Sequence, residues 1–184
     1  MRILILKLSL LIICLSGCTG KQTNNSSFYI WKSKLTVQDA DAAYLDKLGT
    51  KKLYIRMFDV DDKGDGALPL ADYSPTELPP LTQEAVPVIF ITNRTFLRCA
   101  ANHIDSLARK CIDRMDALYH LNFRKSPSAY QFDCDWTEKS RENYFHFLES
   151  VKRLRKQAEI SCTIRLHQIK FRDKTGVPPV DKGV

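Results

Sequence analysis

The chain has 184 residues, with 28 Lys or Arg against 21 Asp or Glu and a net charge of +7. That length is one ordinary domain. The one basic cluster, Lys152-Arg153-Leu154-Arg155-Lys156, closes a predicted helix, where cations suit the dipole, and no aromatic residues are interleaved for stacking. We read it as a solvated helix end, not a nucleic-acid surface. The six cysteines match no zinc spacing, and no Gly-rich phosphate loop is present, so the sequence supports neither a metal nor a nucleotide cofactor.

In chain order, Met1-Arg2 and Lys7 flank an apolar run from Leu8 to Leu15, the pattern of a signal peptide. The run is too short for a transmembrane helix of roughly 20 residues. Its end, Leu15-Ser16-Gly17-Cys18, resembles the lipobox of bacterial lipoproteins. The resemblance implies cleavage before Cys18, lipid on the Cys18 thiol and a membrane anchor in the cell envelope. Residues 1–17 are then the signal, 18–27 a polar tether, and 28–184 the folded unit. Without Arg2 and Lys7 the net charge falls to +5.

Phe28 to Trp31 is a first predicted strand. Thr36 is placed to cap a helix from Val37 to Leu48, with Val37, Ala40, Tyr44 and Leu48 in one stripe and Gly49 after its end. Lys51 to Phe58 alternates as a second strand, Leu53, Ile55 and Met57 on one face, Tyr54, Arg56 and Phe58 on the other. Asp59 to Gly66 has the look of a calcium loop but lacks the acidic twelfth position and flanking helices, so it is read as a polar loop. Residues 67 to 82 are read as an ordered connection.

Val86 to Thr92 is a third strand. One long helix follows, with Leu97, Ala101, Ile104, Ala108, Cys111, Met115 and Leu118 in its stripe; Cys99 and Cys111 on it would lie about 18 Å apart. Tyr130 to Thr137 is a fourth strand, with Tyr130, Phe132, Cys134 and Trp136 toward helices and Gln131, Asp133, Asp135 and Thr137 opposite. Thr137 then caps a helix from Glu138 to about Gln157, with Tyr144, Phe147, Leu148, Val151 and Leu154 inward. Ser161 to His167 is a fifth strand, Cys162, Ile164 and Leu166 outward and Ser161, Thr163, Arg165 and His167 inward. Cys134 and Cys162 are read as small core residues. The strand–helix alternation predicts an α/β fold of about five parallel strands with right-handed crossovers.

The inward positions bring together Tyr29, Trp31, Tyr54, Arg56, Phe58, Asp133, Asp135, Arg165 and His167. Asp133 and Asp135 would be about 6.6 Å apart along the strand, close enough for one to hold its proton near neutrality. Aromatic faces nearby are of the kind sugar rings stack on. A layer of mutually paired charges without chemistry is the other reading of the same residues.

Phe132-Asp133-Cys134-Asp135-Trp136 resembles the fourth-strand signature of chitinase-type barrels, glycoside hydrolase family 18, Asp-x-x-Asp-x-Asp-x-Glu. Asp133 and Asp135 match its second and third acidic positions and Trp136 its frequent tryptophan; Tyr130 stands at the first Asp and Thr137 at the catalytic Glu. The resemblance implies a (β/α)8 barrel that cleaves or binds a glycan, with Asp133 and Asp135 central and Arg56, Arg165, His167 and Trp31 contacting the ligand. A threonine hydroxyl is too weak an acid for the role of the missing Glu. Five of eight strands lead to the expectation of an incomplete barrel, with a five-stranded open sheet as the other outcome.

Overall fold

The computed structural model describes residues 26–31, 37–64, 66–72 and 81–184, with the backbone course alone for 68–72. Cys18, the signal segment, most of the tether and Thr36 lie outside these residues. The elements are β1 (Ser27–Ile30), α1 (Asp39–Lys47), β2 (Lys52–Asp62), β3 (Ala67–Asp72), β4 (Glu84–Ile91), α2 (Asn93–Arg98), α3 (Ile104–Phe123), β5 (Ala129–Asp133), α4 (Arg141–Leu154), β6 (Glu159–Cys162), α5 (Leu166–Lys170), α6 (Arg172–Thr175) and β7 (Lys182–Gly183). The protein is α/β, with a half-barrel sheet in the order β1-β2-β4-β5-β6-β7, every pairing on that path parallel.

That is six parallel strands where the sequence pattern gave five. The sixth is β7, two residues paired beside Ser161 and Cys162. The stretch read as a plain connection also holds a strand: β3 runs antiparallel to Phe58–Asp62 of β2.

Each parallel strand lies beside the next in sequence, so right-handed crossovers carry all the helices to one face. The main core forms there. Leu53 and Ile55 of β2, Ile89 and Ile91 of β4 and Phe132 of β5 pack with Ile112 and Met115 of α3 and Tyr144, Phe147 and Leu148 of α4. Phe147 meets Phe96 and Phe132 edge-on, with ring centroids 5.4 Å apart in both cases. Each such side chain contributes roughly 1.5–3 kcal/mol on burial. The stripe expected on α4 is buried at Tyr144, Phe147, Leu148 and Val151, and Cys134 and Cys162 are fully buried free thiols.

Two helices differ from their predicted form. α1 buries no residue completely, and Tyr44 of its expected stripe is exposed. The long helix is broken: Cys99 and Ala100 are extended, separating α2 from a short 3-10 turn and α3, so Cys99 and Cys111 do not share a helix. Leu97 of the expected stripe is exposed. Neither Gly nor Pro marks the break. It is held from another element: the Asn143 amide of α4 donates to the carbonyls of Phe96 and Cys99, at 2.8 and 3.0 Å. Asn143→Ala leaves both carbonyls without that donor and should cost about 1–2 kcal/mol in equilibrium unfolding. A loss below a few tenths would assign the break to something else.

Candidate functional site

The face opposite the helices is concave, apolar where Tyr54, Val86, Val88 and Ala129 pack and polar further along the strands, and its composition follows from one irregularity in β2. The pairing of β2 with β4 runs Arg56↔Val88 and then Phe58↔Ile89, so Met57 is an extra residue, a bulge. Before it, Tyr54 and Arg56 face inward, as alternation predicts. After it the faces exchange. Phe58 joins the helix-side core instead of the inner face, and Asp59 pairs beside Phe90, the inward neighbour of Val88.

Three rings line the start of this face. Tyr29 stacks on Tyr54 with centroids 4.7 Å apart and on Trp31 at 5.6 Å. Tyr54 is buried, while Trp31 is 44% exposed, so the stack leads from the interior to solvent. The Arg56 guanidinium lies over Trp31 at 5.6 Å and Phe90 at 5.9 Å, and its Nε donates to Asp59 Oδ1 at 2.7 Å. Arg56 is thereby fixed by two rings and a carboxylate.

Asp133, the last residue of β5, is 1% exposed. Burial raises its carboxyl above the ordinary value of 3.8, against the pull of Arg165, which lies 3.6 Å from Oδ1, and with a further push from Asp135. Asp135 lies two residues beyond the strand and accepts from Arg165 Nε at 2.6 Å. Under these groups Gln131 donates to Thr163 Oγ1 at 3.1 Å and accepts from Ser161. Three buried oxygens make no hydrogen bond of ordinary geometry here, Tyr29 Oη, Tyr54 Oη and Asp133 Oδ1, the Thr163 hydroxyl being the neighbour that acts on both Tyr29 and Asp133. Buried polar atoms without partners are uncommon, and each calls for a cause.

The strand-to-helix turn that carries Asp135 is clamped from below. Trp136 is fully buried on the helix side, and its Nε1 donates to the Thr175 carbonyl at 2.9 Å. The buried Gln168 donates to the Trp136 carbonyl at 3.0 Å and accepts from the Arg165 amide at 2.7 Å. Gln168 therefore ties the turn after β5 to the turn after β6, holding Asp135 and Arg165 in register. The Thr137 amide donates to Ser140 Oγ at 2.9 Å, in the turn before α4. The helix itself starts at Arg141, with Ser140 and not Thr137 at its cap position.

Most of the predicted residues come together. Asp133 ends β5, Trp31, Asp135 and Arg165 lie one to three residues beyond their strands, and Arg56 lies midway along β2; Arg165, expected within the fifth strand, is the cap residue of α5. His167 does not share the inner strand face. β6 ends at Cys162, and His167 is an exposed residue of α5. Backbone bonds continue a little past β6 on both sides, from the Thr163 amide to the Phe132 carbonyl and from the Ile164 amide to the Val184 carbonyl, and the chain leaves the sheet at Arg165, whose amide donates to Gln168 at the start of α5.

A second polar cluster, not expected from the sequence, lies further along β2. Asp61, read as part of a loop, is a buried strand residue that accepts from Thr92 Oγ1 at 2.7 Å and Arg94 Nε at 3.1 Å. Arg94 and Thr92 hold its carboxyl down at about 2. A carboxylate depressed on folding stabilises the protein above its ordinary value of 3.8, and the contribution is lost as pH falls toward about 2. Unfolding midpoints measured from pH 5 down to 2 should fall less steeply for Asp61→Asn than for the parent. Parallel curves would remove Asp61 from the acid limb. The signal for this cluster was the Asp59-Val60-Asp61 alternation, which continues the strand once the bulge is allowed.

Among the described residues no group of His, Cys, Asp and Glu is arranged to hold a metal, and no helix is long and apolar enough to cross a membrane. Comparison with protein-family models and with curated proteins finds no match for the chain.

Proposed function

We propose that this is an envelope lipoprotein, anchored through Cys18, whose half-barrel is part of a (β/α)8 glycoside-hydrolase-type architecture and binds a carbohydrate on its inner face without cleaving it. The observation that carries the reading is that buried oxygens of Tyr29, Tyr54 and Asp133 make no hydrogen bond of ordinary geometry, on the same face as the accessible ring of Trp31. A sugar offers both things this surface lacks, hydroxyl groups for the oxygens and an apolar ring face for the indole. Binding at the carboxyl ends of parallel strands is also where such sheets place ligands.

Cleavage is disfavoured by two positions. Thr137 supplies no acid where the family has Glu, and the Asp135 carboxylate is occupied by Arg165 Nε at 2.6 Å. Burial pushes the Asp133 carboxyl toward its protonated form. It can present a hydrogen to a ligand oxygen without a second group to complete a displacement.

The test is titration of the purified chain with neutral oligosaccharides, including chitin and glucan fragments, followed by tryptophan fluorescence and by release of reducing ends. The expected result is saturable quenching without sugar release, weakened at least tenfold in Trp31→Ala with an unchanged unfolding midpoint. Absence of binding across the set would remove the reading.

A second reading has its own observation: the inner charges pair off, Arg56 with Asp59, Arg94 with Asp61 and Arg165 with Asp135. If the layer is structural, Asp135→Asn lowers stability and no oligosaccharide moves the fluorescence.

A further inference from the structure

In a parallel sheet all strands begin at one end. Here β1 is entered at that end, at Ser27, nine residues and at most about 32 Å of chain beyond Cys18. The turns leading into β2, β5 and β6 and the last turns of α1, α3 and α4 gather at the same end, opposite the inner-face site.

This end is basic in a specific way. Most of its carboxylates are engaged, Glu159 and Glu84 with Lys52, Asp116 with Arg155 and Asp181 with Lys152, while Asp46 bonds the neutral Thr82 and Gln83 and Glu149 is exposed. Lys47, Lys51, Arg124, Lys125 and Lys156 are exposed there and have no carboxylate partner among the described residues. Beside Arg124 and Lys125, Leu121 of the last turn of α3 is 64% exposed. Between the β5 and β6 entry turns lies a cleft of about 540 Å³, lined by Pro127, Ser128, Arg155 and Lys156 among others, a volume suited to a polar headgroup.

We infer that the amino-terminal end of the sheet is a docking face for anionic phospholipid headgroups. Free cations around a cleft, with an exposed leucine between them, are the chemistry of an anionic bilayer surface, where each Lys or Arg adds to the attraction. The inference rests on the lipoprotein reading for the anchor that brings this end to the bilayer; the charge distribution stands apart from it. Docked this way, the concave face and Trp31 point away from the membrane, toward whatever glycan lies outside it.

The experiment uses the full chain with vesicles of phosphatidylcholine alone, or with phosphatidylglycerol added, at low and high salt. Attachment to phosphatidylcholine alone reads any lipid on Cys18; added phosphatidylglycerol is expected to tighten binding beyond that level, and the gain to shrink as salt rises. The variant Lys51→Glu, Arg124→Glu, Lys125→Glu, Lys156→Glu should lower the gain at least tenfold. A control with equal charge change at the other end, Lys63→Glu, Lys139→Glu, Arg141→Glu, Lys174→Glu, should bind as the parent does. Circular dichroism establishes that both fold. Equal loss in the two variants, or no loss in either, overturns the proposal, as does tighter binding to a DNA duplex that the first variant abolishes. The mass of the amino-terminal peptide reads lipidation separately. An unmodified Cys18 with end-specific binding intact removes the anchor and leaves the docking face.

Discussion

Trp136→Ala is expected to lower the free energy of unfolding by about 3–5 kcal/mol, seen as a fall in denaturant midpoint at unchanged slope. The indole is fully buried, stacks on Tyr144 at 5.2 Å and meets Phe145 edge-on at 6.1 Å. Alanine leaves a cavity among rings that cannot close over it. It also deprives the Thr175 carbonyl of its donor. Trp136→Phe separates these terms, since it keeps most of the packing and loses the hydrogen bond, and should cost less than half as much. Because the next residue back is Asp135, the alanine variant should also weaken ligand binding. A loss under 1 kcal/mol would mean that the turn is held by Gln168 alone.

Asp133→Asn is expected to bring opposite effects on stability and binding. The carboxyl is buried, its Oδ1 makes no hydrogen bond of ordinary geometry, and its proton affinity is raised on folding. A carboxyl whose folded value is raised binds protons in the folded state over the window where the unfolded chain has released them. Stability therefore falls as pH rises from about the ordinary value of 3.8 through the raised one, and stays lower at neutrality. Asparagine, neutral throughout, should remove that fall and raise stability at pH 7 by roughly 1 kcal/mol. If the oxygen serves a ligand, saccharide binding should weaken at least tenfold in the same variant. Chemical denaturation at pH 4 and pH 7, with a titration alongside, reads both. Lower stability at pH 7 would show that the Arg165 contact outweighs the burial.

The elements most legible in the sequence were those whose pattern ran without interruption. In β5, Tyr130, Phe132, Cys134 and Trp136 go to the helix side, and Gln131 and Asp133 to the inner face, as alternation required. The α4 stripe was as plain. Legibility failed where a contact distant in sequence overrides a local pattern. The Ser161–His167 alternation continues past Cys162, but the Gln168 clamp on the Arg165 amide turns the chain out of the sheet into α5. Residues 99 and 100 have no helix-breaking side chain, and Asn143 stabilises the break from another helix. The same limit applied to the site. Asp133, Asp135, Arg165, Arg56 and Trp31 were found because the alternation of a regular stretch reaches them, within β2 for Arg56 and just past the strand end for Trp31, Asp135 and Arg165. Asp59 and Asp61 were missed because the residue that puts them inside is Met57, a buried apolar side chain indistinguishable in sequence from its neighbours.

That one extra residue gives β2 a parity. Its first half belongs to the odd-numbered core positions Leu53 and Ile55, its second to the even-numbered Phe58 and Val60. Removing Met57 itself would return the whole strand to a single parity and leave Tyr54, Arg56, Asp59 and Asp61 on the inner face and Leu53, Ile55, Phe58 and Val60 against the helices. Removing Ile55 would instead drive Arg56 against the helices. Loss of one residue in this strand should therefore be tolerated at the bulge and nowhere before it, so that deletion of Met57 folds and deletion of Ile55 does not.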